Sequence, residues 1–324
     1  MRRHLAKIRG KHRIEPELKA AKTMAEAEPI AHVVTNQGSG AGDKSALNDE
    51  IEAAFASHHW RVEFILVGGE DLPSRVRRTV AEAPGTIVVA GGDGTINTVA
   101  SECLKFNRPF GILPAGTFNY VARNLGLPTE VTQAVAVITA GHRRPVDVGE
   151  INGHIFLNNA GFGLYSDLVE QRERDKQRYG RNRLVAVYSG ARSLLGAHPL
   201  YEVDLEANDL HERRLTTTLF FGCNALQLEN VSTAAADCLR QGQLAVLSLR
   251  LHSRWDIALA TFAALTGRLD QARHTDAFCA SAVRVHTRRR ALKVAIDGEI
   301  VVMRPPLDVR LLVGALQIFA PAQE

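Results

Sequence analysis

The sequence predicts an α/β lobe followed by a mainly β lobe, and three observations carry that reading. From Ile30 onward short apolar runs alternate with helix-period segments, the pattern of a parallel sheet covered by helices. Past Gly141 the texture changes to alternating strand pairs joined by tight turns. The chain has 324 residues, 45% of them hydrophobic and 23% charged, which marks a folded globular protein long enough for two domains and a cleft between them.

In the first lobe, residues 29–144, the candidate strands are Ala31–Thr35, Val62–Val67, Thr86–Ala90 and Phe110–Leu113. The helical stretch Ala46–Ala56 places Leu47, Ile51, Ala54 and Phe55 on one face. A last helix near Val131–Ala140 ends at the turn of Gly141. Ligands of open α/β sheets bind in the crevice outside the strands' carboxyl ends, so chemistry is sought at Asn36–Gly40, Gly91–Thr95 and Pro114–Asn119. The second lobe, residues 145–324, opens with Val146–Ile151 and His154–Asn158 around Asn152-Gly153, a hairpin signal because a type I′ turn needs positive φ at both central residues. Alternating runs follow at Tyr201–Ala207, Leu215–Phe221, Leu244–Leu249, Ala282–His286, Leu292–Ile296 and Val309–Val313. Helical insertions are expected at Leu164–Gln177, at Arg183–Leu195 and near Trp255–Leu265, within a sandwich or open barrel. Whether the last strand, Leu316–Ala320, returns to the first lobe is open at this level.

Charge and cysteine usage bound the surroundings. The formal net charge is +4, and Arg2, Arg3, Lys7, Arg9, Lys11 and Arg13 precede any acid. Residues 1–28 therefore read as a basic, flexible tail, either simply solvated or able to touch an anionic surface. Cys103, Cys223, Cys238 and Cys279 are scattered without a C-x-x-C pair, which favours neither a disulfide framework nor a zinc ribbon. With no secretory apolar region, the expected setting is a reducing cytoplasm. No apolar run approaches the roughly 18 residues of a membrane span. No interleaved aromatic platform accompanies the basic residues, so nucleic acid is not an expected partner.

Three strand ends carry the chemistry. Gly91-Gly92-Asp93-Gly94-Thr95 follows an apolar strand and opens a helix, where glycines admit close approach of phosphate oxygens and the helix start supplies unpaired N–H donors. Asp93 would repel phosphates unless a cation lay between them, which argues for Mg²⁺. Leu113–Asn119 (LPAGTFN) adds Gly116 for close approach, with Thr117 and Asn119 as polar groups at a helix start. Thr35–Gly40 (TNQGSG) closes the first strand with flexible donors. Neither a Walker loop nor a G-x-G-x-x-G fingerprint is present. Far along the chain Asp297-Gly298-Glu299 interrupts an apolar strand. As strand residues two apart, Asp297 and Glu299 would converge on one face, whereas a turn at Gly298 would make a hairpin carrying exposed acids.

Gly91–Thr95, Leu113–Asn119 with the following ARNLGLP (122–128), FLNNAGFG (156–163) and Asp297-Gly298-Glu299 stand in the order and spacing that resemble the diacylglycerol kinase catalytic-domain family, which includes sphingosine kinases and bacterial lipid kinases. The resemblance runs from about Ala31 to Pro321. The first motif is shared with NAD kinases, and the later two favour the lipid branch. The resemblance implies that Gly91, Gly92, Asp93, Gly94, Thr95, Asn97, Asn36, Ser39, Gly40, Gly116, Thr117 and Asn119 bind ATP and its Mg²⁺. It also implies that Asp297 is the general base toward a lipid hydroxyl, and that Glu299 is its acidic partner, sharing the metal with Asp93.

The activity implied is ATP- and Mg²⁺-dependent phosphorylation of diacylglycerol or a related lipid, by a cytoplasmic enzyme that visits the inner membrane face. Relatives are often dimeric, so a homodimer is expected too. Two positions depart from the family pattern: Gln37 stands where a proline is common, and Tyr120 where some members carry an aspartate. Lys44 sits some way past the glycine where a basic residue is common. Two alternatives stay open, a kinase of a soluble polyol or nucleotide and a lipid- or nucleotide-binding protein without turnover.

Overall fold

Strand β1 (Ile30–Asn36) buries Ala31, His32, Val33 and Val34 and is the pivot of a parallel sheet, with β2 (Arg61–Val67) on one side and β3 (Thr86–Gly91) on the other. Strand β4 (Phe110–Pro114) continues the sheet beyond β3. Parallel neighbours need crossovers, which here are α1 (Lys44–Ser57), α2 (Leu72–Glu82) and α3 (Asp93–Lys105). Helix α1 buries Ile51, Ala54 and Phe55, the face expected from its periodicity. After α4 (Tyr120–Asn124) and α5 (Val131–Ala140), Gly141 ends the helix at a φ of 76°. The computed structural model describes residues 28–36, 44–67, 71–179, 199–207, 210–229, 232–251 and 275–322, with Asp256 and Leu259. Residues 1–27 of the basic tail, the insertion expected at Arg183–Leu195 and nearly all of the one near Trp255–Leu265 lie outside them.

The hairpin of β5 (Arg143–Ile151) and β6 (His154–Phe156) turns on Asn152 and Gly153, both at positive φ. Then come β7 (Asn159–Gly163), α6 (Leu164–Tyr179), β8 (Tyr201–Ala207), β9 (Leu210–Thr216) and β10 (Thr218–Gly222). The run expected at Leu215–Phe221 is thus broken at Thr217. Strand β9 stays in one sheet and β10 enters the other, and the hydroxyls of Thr216 and Thr217 donate to the Leu249 carbonyl at this corner. The chain continues through α7 (Ala225–Glu229), α8 (Thr233–Arg240), β11 (Leu244–Leu249), β12 (Thr275–Ala280), β13 (Ala282–Thr287), β14 (Leu292–Ile296), β15 (Glu299–Met303) and β16 (Leu307–Phe319).

Two sheets result. One has ten strands and runs β2-β1-β3-β4-β16-β13-β8-β9, with β5 beside β16 and β6 beside β5; the other has six and runs β12-β11-β10-β7-β14-β15. Strand β16 unites what sequence periodicity separates into two runs. Its register against β5 shifts between Leu312 and Leu316, with Gly314 at a φ of 59°, a bulge that re-aims the strand. Its far end pairs with β4 in parallel, Ile318 opposite Phe110, so the last strand does return to the first lobe. In the second lobe the facing sheets bury Phe162, Phe221 and Val246 against Val203, Val285 and Val309, which makes a sandwich.

The cysteine expectation needs correction. Cys238 of α8 and Cys279 of β12 form a disulfide, their Cα atoms 5.2 Å apart across 41 residues of sequence. Linear spacing carries no trace of it, because packing of α8 against the sheet brings the two together. Cys103 and Cys223 are free and buried. Among the described residues no helix is long and apolar enough to cross a membrane.

Candidate active site

Strand β3 ends at Gly91, and α3 starts two residues later with extended Gly92 as its N-cap, which has no side chain to cap the first-turn amides. The first-turn amides of a helix have no acceptor within it, so this end presents free N–H groups and partial positive charge. The neighbouring strand end meets it backbone to backbone. A Cβ on Gly116 would stand 2.5 Å from the Gly92 Cα, and one on Gly91 would stand 3.0 Å from the Thr95 Cβ. Only glycine lets the two loops close together in this way. Asn119, at a φ of 50°, locks the second loop, since its Oδ1 accepts from the Gly116 N–H at 2.9 Å and its Nδ2 donates to the Gly116 carbonyl at 3.0 Å. Thr95 is buried beneath the turn and Thr117 is exposed at its rim. Next to it, exposed Phe118 stacks on Tyr120 and lies under the Arg172 guanidinium of α6, 5.2 Å from the ring centre.

The Asp93 carboxylate accepts from the Val121 N–H at 3.2 Å and from the Tyr120 N–H at 3.4 Å, tying the starts of α3 and α4 together. With one hydrogen bond per oxygen it keeps lone pairs for a cation. Among the described residues no cluster of three or more His, Cys, Asp or Glu could hold a metal. An ion that also takes phosphate oxygens needs only one or two protein carboxylates, so this donor set fits Mg²⁺. At the first strand end the Asn36 carbonyl accepts from Lys44 Nζ at 3.0 Å, which brings that lysine back to the loop. Ser39, Gly40 and Gln37 lie outside the described residues.

Across the cleft, β14 and β15 form a two-residue hairpin with Ile296 opposite Glu299 and with Asp297 and Gly298 at φ of 46° and 91°. Both signs are those of a type I′ turn. The two acids therefore do not share a strand face. Asp297 turns inward: Oδ2 accepts from Asn97 Nδ2 and the Leu157 N–H, both at 2.7 Å, while Oδ1 accepts from the Asn158 and Asn159 N–H groups at 2.9 and 3.0 Å. Burial raises its pKa above the usual carboxylate value, and these four donors act against that rise. Each of its oxygens holds two donors. Asp297, expected from sequence as the base, thus anchors its turn to α3 and to residues 157–159. Glu299 instead reaches over the start of α3, its Oε1 3.4 Å from where a Cβ on Gly94 would lie. Desolvation, and then the charges of Asp297 and Glu173, raise its pKa.

Asn97, expected at the nucleotide, is a tie between lobes, since its Nδ2 also donates to the Ile155 carbonyl at 3.3 Å. Beneath the turn lies a polar cluster to which sequence reasoning gave no role. Asn224 Nδ2 donates to Asn158 Oδ1 at 2.8 Å, Asn159 Nδ2 to Gln227 Oε1 at 2.7 Å, and the Tyr165 hydroxyl to Asn159 Oδ1 at 2.5 Å. Its one sequence signal is the pair of asparagines inside FLNNAGFG, unusual in an otherwise apolar run. A cavity of about 240 Å³ opens beside Glu299 between α3 and the hairpins of β6 and β15.

Comparison with known proteins agrees with the resemblance drawn from the motifs. Residues 30–151 match the family profile described as "Diacylglycerol kinase catalytic domain". A diacylglycerol kinase of Bacillus subtilis (strain 168) is 44% identical over 86 residues, 26% of this chain and 28% of that protein. A YegS-like protein of Pseudomonas aeruginosa (strain PAO1), named a probable lipid kinase, is 38% identical over 139 residues, 41% of this chain and 45% of that one. Each match thus takes in less than half of the relative's own length. The fold is similar throughout to a crystal structure of a diacylglycerol kinase from Bacillus anthracis str. Sterne, with a TM-score of 0.65 at 18% identity, covering 91% of this chain and 97% of the other.

Proposed function

We propose that the protein is a kinase that transfers the terminal phosphoryl group of ATP, with Mg²⁺, to a hydroxyl of diacylglycerol or a related lipid. The observation that carries this reading is the meeting of two glycine strand ends, Gly91-Gly92 and Gly116, at the uncapped start of α3, with Glu299 reaching over it from the other lobe. Backbone N–H groups and the helix dipole there suit phosphate oxygens. The match of residues 30–151 to the diacylglycerol kinase catalytic domain supports the same reading and points to a lipid acceptor.

Magnesium bound to the phosphates would neutralise their charge, and Asp93 is the residue that would hold it. Glu299, reaching the same helix start, is the second carboxylate that would help hold that ion, and it stands where the acceptor hydroxyl would arrive. In the transfer the hydroxyl oxygen bonds to the terminal phosphorus as the bond to the ADP oxygen breaks. The hydroxyl proton passes to Glu299, whose carboxylate is influenced by burial and by the charges of Asp297 and Glu173 and by no hydrogen-bond donor among the described residues. Asp297 contributes by position, and phosphoryl transfer depends mainly on positioning and charge, with little covalent chemistry for the protein to do. A lipid acceptor implies that the enzyme works at a membrane surface.

The test is incubation with γ-labelled ATP and Mg²⁺, with and without a total lipid extract in mixed micelles. Label in the organic phase is expected, and mass spectrometry then names the product. Label confined to water-soluble products would move the reading to a polyol or nucleotide acceptor, and ATP binding without transfer would leave a binding protein.

A further inference from the structure

The cavity beside Glu299 starts at Gly94 of the first glycine loop and runs outward along the flank of α3. Gly94, Thr98, Ser101 and Lys105 line it at helical spacing, one stripe of the helix that begins at the phosphate site. At a rise of roughly 1.5 Å per residue this stripe is about 16 Å long. At the outer end of the wall Lys105 Nζ stands 2.7 Å from Glu102 Oε1. The opposite wall is His154 and Val301, with Glu299 at the inner end. Pockets that enclose a drug-sized ligand run from about 300 to 1,000 Å³. At about 240 Å³ this one is smaller, of a size for a compact polar group.

We propose that this cavity receives the hydroxylated head of the acceptor, against the Thr98–Ser101 stripe of α3, while its acyl chains stay outside. The proposal rests on the kinase reading and deepens it by giving the acceptor a place. The head enters from the Lys105 and His154 end and meets Glu299 where α3 begins. Asp297 is a positioning residue for this site, because its bonds to Asn97 and to the amides of residues 157–159 hold Glu299's turn against α3.

Ser101→Phe places a ring in the middle of the cavity from a half-buried helix position, and Ser101→Ala serves as the conservative control. The probe is dihexanoylglycerol, compared with trihexanoylglycerol, which lacks the hydroxyl; binding is measured by calorimetry with Mg²⁺ and a non-hydrolysable ATP analogue present. Wild type is expected to bind dihexanoylglycerol in preference to trihexanoylglycerol, and Ser101→Ala, which removes only one hydroxyl of the stripe, to bind it more tightly than Ser101→Phe does. Ser101→Phe is expected to bind dihexanoylglycerol about tenfold or more weakly, the scale of an overpacking clash, with analogue affinity unchanged. Equal dihexanoylglycerol affinity in Ser101→Phe would overturn the site, as would a wild type that takes the nucleotide analogue but not dihexanoylglycerol. A wild type that binds no nucleotide analogue would overturn the kinase reading itself, and this inference with it.

Discussion

Asp297 holds three backbone amides and one carboxamide at once, so removing its charge is a structural change before it is a chemical one. In Asp297→Asn one side-chain oxygen becomes an NH₂ group that must face two donors. Losing charge-assisted bonds of this kind costs about 2–3 kcal/mol. Urea unfolding of Asp297→Asn should show that loss alongside lost turnover; a variant as stable as wild type but inactive would return Asp297 to the role of base. The residue types of the site were legible in the sequence because glycine, aspartate and asparagine at strand ends are rare without a reason. Their partners were not, since Asn97 meets Asp297 across 200 residues. A two-residue turn with positive φ decides which way each acid faces, and either reading of Asp297-Gly298-Glu299 fits the local pattern equally well.

At the scale of elements, short parallel strands and amphipathic helices such as α1 and α5 are legible because one residue pattern specifies one buried face. The corner at Thr217, the bulge at Gly314 and the pairing of α8 with β12 are not, because each depends on which sheet or helix lies opposite. The disulfide is the clearest case and can be checked by thiol titration. Burial pushes the Cys103 thiol up to about 12, and full burial likewise raises Cys223, so neither is a thiolate at mildly alkaline pH. An aromatic disulfide reagent should therefore find no reactive thiol in the native protein. In denaturant without reductant it should find two, from Cys103 and Cys223. Finding all four cysteines reactive would remove the link between α8 and β12.

For the whole molecule, the expected division at residue 144 meets a continuous sheet. Strand β5 runs through it from Arg143 to Ile151, and the core around Val34, Val89, Val99 and Phe110 also takes in Val148, Ile155, Leu157, Leu316, Ile318 and Ala320. A segment ending at residue 144 would expose that face and leave β4 as an open edge, and both effects act against an independent fold. Trp60, tilted against Phe55 with ring centres 5.9 Å apart, reports on this lobe. Residues 29–144 alone should show no cooperative unfolding transition by Trp60 fluorescence, whereas the full chain should; a sharp transition from the segment alone would make the lobes independent. The point bears on function because α3 and the β5–β6 hairpin, one wall of the cleft, are then built on one sheet, while Glu299 stands on the hairpin of the other. Glu299 would reach α3 by the register of strands and the Asp297–Asn97 bond, so loosening either should open the site and lower turnover together with stability.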